Sequence, residues 1–107
     1  MLQARTAAPA FAALGDPTRL AMVARLCRLG PLSTASLTSG TSVSRQAVMK
    51  HLNALQSAGL VRSERDGRDR IWELKPQRLA ELRSYVEAIS AQWDEALMRL
   101  RDLVETP

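Results

Sequence analysis

Five side chains between positions 44 and 54 have the types and the spacing to read a nucleic acid. Arg45, Gln46, Met49, Lys50 and Asn53 recur at three- and four-residue steps, the period of one helix face. Ser44 precedes them as a further candidate for DNA contact, and its hydroxyl can also accept a hydrogen bond from a free N–H of the first turn. Arg, Gln and Asn make two-pronged hydrogen bonds to base edges, and Lys50 suits a phosphate. No acid lies between Asp16 and Glu64 to oppose an anionic partner. Two readings stand for Met49: contact with a thymine methyl, or packing against the preceding helix. Farther along, Arg65 and Arg68 flank Gly67 and are candidates for phosphate or minor-groove contact. Arg62 and Arg70 are as well read as partners of Glu64, Asp66, Asp69 and Glu73.

Other reactive groups are sparse. His51 is the single histidine, and with no second imidazole or nearby thiol it cannot assemble a zinc site or a catalytic pair. It is read as a partly buried side chain beside the polar helix, or as a phosphate contact. Cys27 is the single cysteine. It is read as a buried small apolar residue, the commonest fate of a free thiol; the alternative is a redox sensor activated by Arg25 and Arg28. There is no glycine-rich phosphate loop, no Ser/His/Asp or Cys/His set and no paired carboxylates in a pocket-like context. No enzyme activity, cofactor or metal is therefore expected.

The net charge of +4 hides an asymmetry. Residues 1–63 carry seven Lys/Arg against one acid, residues 64–75 balance at four against four, and residues 76–107 carry four bases and six acids. A basic body with an acidic end favours a polyanion on one side and a different partner on the other. One cysteine excludes an internal disulfide framework and points to a reducing compartment. No apolar run reaches the ~18 residues of a membrane span, and the opening Met1-Leu2-Gln3-Ala4-Arg5 leads into sequence too weakly apolar for a secretory signal. A cytoplasmic protein with no membrane partner is expected.

The elements that must hold these residues follow from periodicity and punctuation. A short helix is expected over about Pro9–Leu14, with Phe11 and Leu14 inward. Asp16 can cap a second helix with Pro17 at its first position. That helix runs to about Leu29, with Leu20, Val23 and Cys27 as its stripe and Leu26 flanking it; Arg19 is read as structural rather than as a DNA-backbone contact. A third helix from Ser33 or Thr34 to about Ser39 is anchored by Leu37, and Gly40-Thr41-Ser42 turns into the polar helix. The latter buries Val48, Leu52 and Leu55 and ends at Gly59. Leu60–Leu74 reads as a hairpin around Gly67, with Trp72 and Leu74 inward. After Pro76, a single helix from Gln77 to about Glu105 carries Leu79, Leu82, Val86, Ile89, Trp93, Ala96, Leu100 and Leu103 at alternating three- and four-residue steps, widened by Tyr85, Leu97 and Val104. Such a stripe is an intramolecular core or a dimer seam. Its length favours a seam made of Phe11, Leu82, Val86, Ile89, Trp93, Leu97 and Leu100. The expected fold is mainly α with a small β-hairpin: one winged helix-turn-helix domain over residues 1–107, in the order α-α-α-α-β-β-α. Its helix-turn-helix covers about 33–58, its wing about 60–74 and its dimerisation helix about 77–105.

The chain resembles the ArsR/SmtB family of winged-helix repressors. The resemblance rests on Leu14-Gly15-Asp16-Pro17-Thr18-Arg19-Leu20, on Val43-Ser44-Arg45-Gln46-Ala47-Val48 with His51-Leu52, on Ala58-Gly59-Leu60-Val61 and on Arg65-Asp66-Gly67-Arg68. It implies a cytoplasmic homodimer, joined by its first and last helices, that binds operator DNA near its own promoter and releases it on meeting an inducer. The long last helix with Trp93 and Leu97 is similar to a branch not known mainly for metal sensing. The Cys-x-Cys pair of some members falls here on Ser33 and Ala35, and the final-helix metal site of others lacks its histidine. Thiol-switch members need two cysteines, and this chain has one. The expected function is sequence-specific repression by a homodimer on double-stranded palindromic DNA, with the inducer unknown. A protein-interaction module and a non-specific architectural DNA binder are the alternatives.

Overall fold

Trp72 is the largest fully buried side chain, and the strand that carries it ties the molecule together. The computed structural model describes residues 3–105. Met1 and Leu2, part of the opening read above for a signal, lie outside the described residues, as do Thr106 and Pro107. In chain order the elements are α1 (Ala4–Leu14), α2 (Pro17–Leu29), β1 (Leu32–Ser33), α3 (Thr34–Ser39), α4 (Arg45–Ser57), β2 (Val61–Asp66), β3 (Asp69–Leu74) and α5 (Pro76–Glu105).

The sheet has three antiparallel strands in the order β1-β3-β2, one more than the expected hairpin. Leu32 lies opposite Trp72 and Ser33 opposite Ile71, so β1 covers the edge of β3 that the hairpin alone would leave open. Two residues are too short a run to show a period, which is why β1 is invisible in the sequence. The hairpin turns through Gly67 and Arg68 alone, and Gly67 has φ 60°, the positive value that the first loop residue of a II′ turn demands. The Trp72 indole N–H, which burial would otherwise leave without a partner, donates to Thr34 Oγ1 at 2.9 Å.

Around this sheet the helices pack through Leu37, Val48, Leu52, Leu55, Leu60 and Val61, all essentially inaccessible. α1 begins at Ala4, five residues before the expected start, and Pro9 lies inside it rather than at its head. Its buried face is Ala7, Ala10 and Ala13, small side chains that let it lie close on α2 and α4; Phe11 and Leu14 sit half-buried at its edge. Alanine gives a weak apolar signal, so the first turns escape a reading by periodicity.

In α2 the stripe is Met22, Val23 and Leu26, not Leu20, Val23 and Cys27. Leu20 and Cys27 are exposed, so Cys27 is corrected from a core residue to a surface one. At roughly 100° per residue, Val23 stands on the border of both stripes, which lie about a quarter-circle apart.

Leu82 is also a correction, because it is buried in the subunit's own core and cannot serve as an open seam residue. Beyond it α5 leaves the body. No described residue from Val86 onward is buried, and Trp93 is 65% and Leu103 76% exposed. Thirty residues of helix measure about 45 Å. The radius of gyration is accordingly 18.3 Å, against about 13 Å for a compact chain of this length.

Candidate nucleic-acid interface

The presentation of α4 starts with the turn before it. Ser33 Oγ caps α3 by accepting from Ser36 N at 3.0 Å. Arg25 reaches across from α2 and donates to the carbonyls of Ser36 (3.1 Å) and Leu37 (3.2 Å) near the other end of α3. Its guanidinium fills the space where a side chain at position 40 would begin, so Gly40 makes room for it; the backbone there, at φ −89°, makes no demand for glycine. The chain then enters α4 at Ser44, whose Oγ accepts from Ala47 N at 3.1 Å, as expected of a cap.

The far end of α4 is equally fixed. Gly59, at φ 79°, donates to Gln56 O at 2.9 Å and Leu60 N donates to Leu55 O at 3.0 Å. These two bonds make a Schellman closure, with Leu55 and Leu60 buried beneath it.

Between these caps Arg45, Gln46, Lys50 and Asn53 are exposed on one side, with Ser44 exposed at the head. Gln46, Lys50 and Asn53 have no hydrogen bond or ion pair among the described residues, which leaves their donors and acceptors free. Met49 is half-buried against the core edge, consistent with its packing reading, yet it still lines the groove described below. His51 sits at the back of the helix, with Nδ1 3.8 Å from Asp16 Oδ2 and 3.4 Å from Arg19 Nη1. Arg19 Nε donates to Ala13 O at 2.6 Å, so Arg19 has the structural task expected of it. Asp16 caps α2 through Arg19 N at 3.0 Å. That backbone bond, with the nearby charges of Arg19 and His51, holds its carboxyl below the usual value against the opposing effect of burial.

A groove of about 250 Å³ separates α4 from the hairpin and is lined by Thr34, Arg45, Met49, Arg65, Arg68, Asp69 and Arg70. Arg65 and Arg70 are directly opposite one another on adjacent strands. Like charges in that relation repel unless an anion lies between or a neighbour draws one aside. Arg70 does bond Ser63 Oγ at 3.1 Å, whereas Arg65 and Arg68 have no partner among the described residues. Arg62 pairs with Glu73 across the strands, which gives it the structural one of its two readings.

Asp69 does more than pair with a hairpin arginine. Its carboxylate accepts from Arg70 N at 2.7 Å and from Ala35 N at 3.1 Å, and it meets Arg45 Nη2 at 3.5 Å. The Arg70 N–H above all, then the Thr34 hydroxyl, the Ala35 N–H and the Arg45 charge, hold its carboxyl below the usual value while burial works against them. A signal was present in the sequence: Asp66 and Asp69 flank a two-residue turn and must face each other, which is tolerable when one of them is engaged elsewhere.

Among the described residues no cluster of three or more His, Cys, Asp or Glu is placed to hold a metal ion, and no helix is long and apolar enough to cross a membrane.

A helix-turn-helix domain family model matches residues 14–64. The chain is similar to the HTH-type transcriptional regulator Rv2034 of Mycobacterium tuberculosis, 38% identical over 97 residues that cover 91% of this chain and 87% of that one. Among solved structures it is similar to an ArsR-like transcriptional regulator from Rhodococcus sp. RHA1, with a TM-score of 0.79 and 38% identity over 96% of each chain. It shares its fold with the homodimeric winged helix-turn-helix DNA-binding domain of a possible ArsR-family regulator from Mycobacterium bovis, at a TM-score of 0.66 and 23% identity over 82% of this chain and 81% of that one. A likeness this even along nearly the whole length, on a fold whose reading helix, tight turn and hairpin are all present, makes the chain a member of the ArsR-like winged helix-turn-helix transcriptional regulators.

Proposed function

We propose that this regulator is a sequence-specific repressor that works in the cytoplasm as a homodimer on a palindromic operator, at or near its own promoter, and that it is not an enzyme. The observation that carries the reading is the exposed polar face of α4 beside Arg65 and Arg68, which have no partner among the described residues. Arg45, Gln46 and Asn53 read base edges, Lys50 binds phosphate, and Met49 adds an apolar contact at the groove edge. Ser44 serves chiefly as the cap that aims them. Arg65 and Arg68 hold the backbone from the wing. The whole chain acts as one winged-helix domain.

Self-association is supported by the uncovered face of α5, where Val86, Ile89, Trp93, Leu97 and Leu100 stand exposed in an unbroken row. Phe11, whose ring centroid lies 6.0 Å from that of Tyr85, brings α1 to the foot of the same face. That the M. bovis neighbour is homodimeric supports self-association. Two copies related by a two-fold axis present two α4 helices to half-sites about one helical turn, or a multiple, apart.

The test is enrichment of binding duplexes from a random-sequence library by the full chain, followed by mobility shifts on the enriched duplex and on a scrambled one. The expected result is a palindromic consensus. Arg45→Ala and Gln46→Ala should each lower the preference for the enriched duplex by about 1–3 kcal/mol while the fold survives. Failure to enrich any sequence would remove the specific reading; a preference unchanged in both variants would remove these two side chains from it.

A further inference from the structure

Among the described residues, Asp69 is the only acid lining a groove that four arginines also line. An acid facing a DNA phosphate lowers affinity, so its presence calls for another gain. The geometry supplies one. Asp69 opens β3, and its single carboxylate bonds the next residue of that strand through Arg70 N, the N-terminal turn of α3 through Ala35 N, and the first residue of α4 through Arg45. These three elements are the wing, the helix that supports the reader and the reader itself. Its side chain is 24% exposed against 59% for Arg45, so the carboxylate is the fixed member of the pair and the guanidinium the movable one.

We propose that Asp69 is a specificity-determining positioning residue: it locks the wing to the helix-turn-helix and keeps Arg45 from settling on whichever phosphate it meets. This rests on the DNA-binding reading above. A guanidinium held by a carboxylate gives up that pairing to a poorly placed phosphate at a net loss. It gives it up without loss to a base edge that offers two aligned acceptors. Asp69 therefore penalises arbitrary sequence more than the matching one. The bond from Ala35 N serves this by keeping the carboxylate where it can hold Arg45.

The experiment compares the wild-type full chain with Asp69→Asn, which preserves shape and one acceptor while removing the charge. Affinities are measured for the duplex that the wild type enriches from a random library and for its scrambled counterpart, at two salt concentrations. Asp69→Asn should bind the scrambled duplex more tightly and lose roughly tenfold in the ratio of the two affinities, within what a single two-pronged base contact contributes. In an Arg45→Ala background the same substitution should leave the ratio nearly unchanged. A purely structural role would instead weaken both affinities together and leave their ratio unchanged. Should Asp69→Asn not fold by circular dichroism, Asp69→Glu keeps the charge but displaces it by one methylene, and the same fall in ratio is expected. A ratio within about twofold of wild type in the folded variant, or a fall that persists without Arg45, would overturn the proposal. Wild-type protein that enriches nothing would sink the DNA reading itself, a separate outcome.

Discussion

Single side chains divide into those that are spent and those that are free. Arg19, Arg25, Arg62 and Arg78 are committed to carbonyls or carboxylates of the same chain. Arg65, Arg68 and Lys50 are not. Arg68→Ala should thus weaken enriched and scrambled duplexes by similar factors and flatten the salt dependence by about one unit of slope, because one phosphate contact releases about one counterion. Affinity that ignores loss of Arg65 and Arg68 together would show that the wing tip stays off the DNA. Two carboxylates carry a different consequence. Asp16 and Asp69 both have carboxyls held below the ordinary range, so the unfolded chain takes up their protons at higher pH than the folded one does. Their stabilisation is complete above the unfolded value of about 4 and disappears as pH falls through the folded value. Urea midpoints measured from pH 6 down to pH 2 should fall most steeply below about pH 4. Asp16→Asn should make that fall shallower; an unchanged profile would mean that other groups govern acid unfolding.

Elements differ in how openly the sequence declares them. α4 was plain, because a capping serine, an apolar stripe at helical period and a closing glycine agree with each other. The hairpin was plain for a similar reason, Gly67 at its turn and Trp72 inward. β1 and the first turns of α1 were not, since two strand residues carry no period and alanine carries little contrast between faces. The Asp69 junction could not be read directly either. It joins residues 35, 45 and 70, and the angle between wing and helix that brings them together is set by packing. Gly40 shows the same limit, because its need comes from Arg25 on another helix. Gly40→Ala should push the guanidinium aside and cost about 1–2 kcal/mol through the lost carbonyl bonds, a modest figure because a flexible tip can move. In an Arg25→Ala background the substitution should cost almost nothing. A double-mutant cycle by urea unfolding checks this, and additive costs would place the constraint in the backbone instead.

On the scale of the whole molecule, the reading face and the apolar face of α5 share no residue. Trp93 is the largest exposed side chain of the latter, and an aromatic anchor at the middle of an interface commonly carries ~2 kcal/mol or more. Trp93→Asp should give a monomer or an unfolded chain, and affinity for the enriched duplex should collapse with every DNA-facing residue intact. Sedimentation at micromolar concentration beside mobility shifts on the same samples decides it; a variant that stays paired and binds normally would mean the subunits meet elsewhere. The wild-type melting temperature should also rise with protein concentration. An uncovered helix of this kind makes abundance itself a signal. Where pairing is weak, the concentration of assembled units follows the square of the chain concentration, so a cell that lets the chain concentration fall by half loses about three quarters of its assembled regulator. The steepness with which a regulated gene turns on would then be written in Val86, Ile89 and Trp93, side chains that never approach a base.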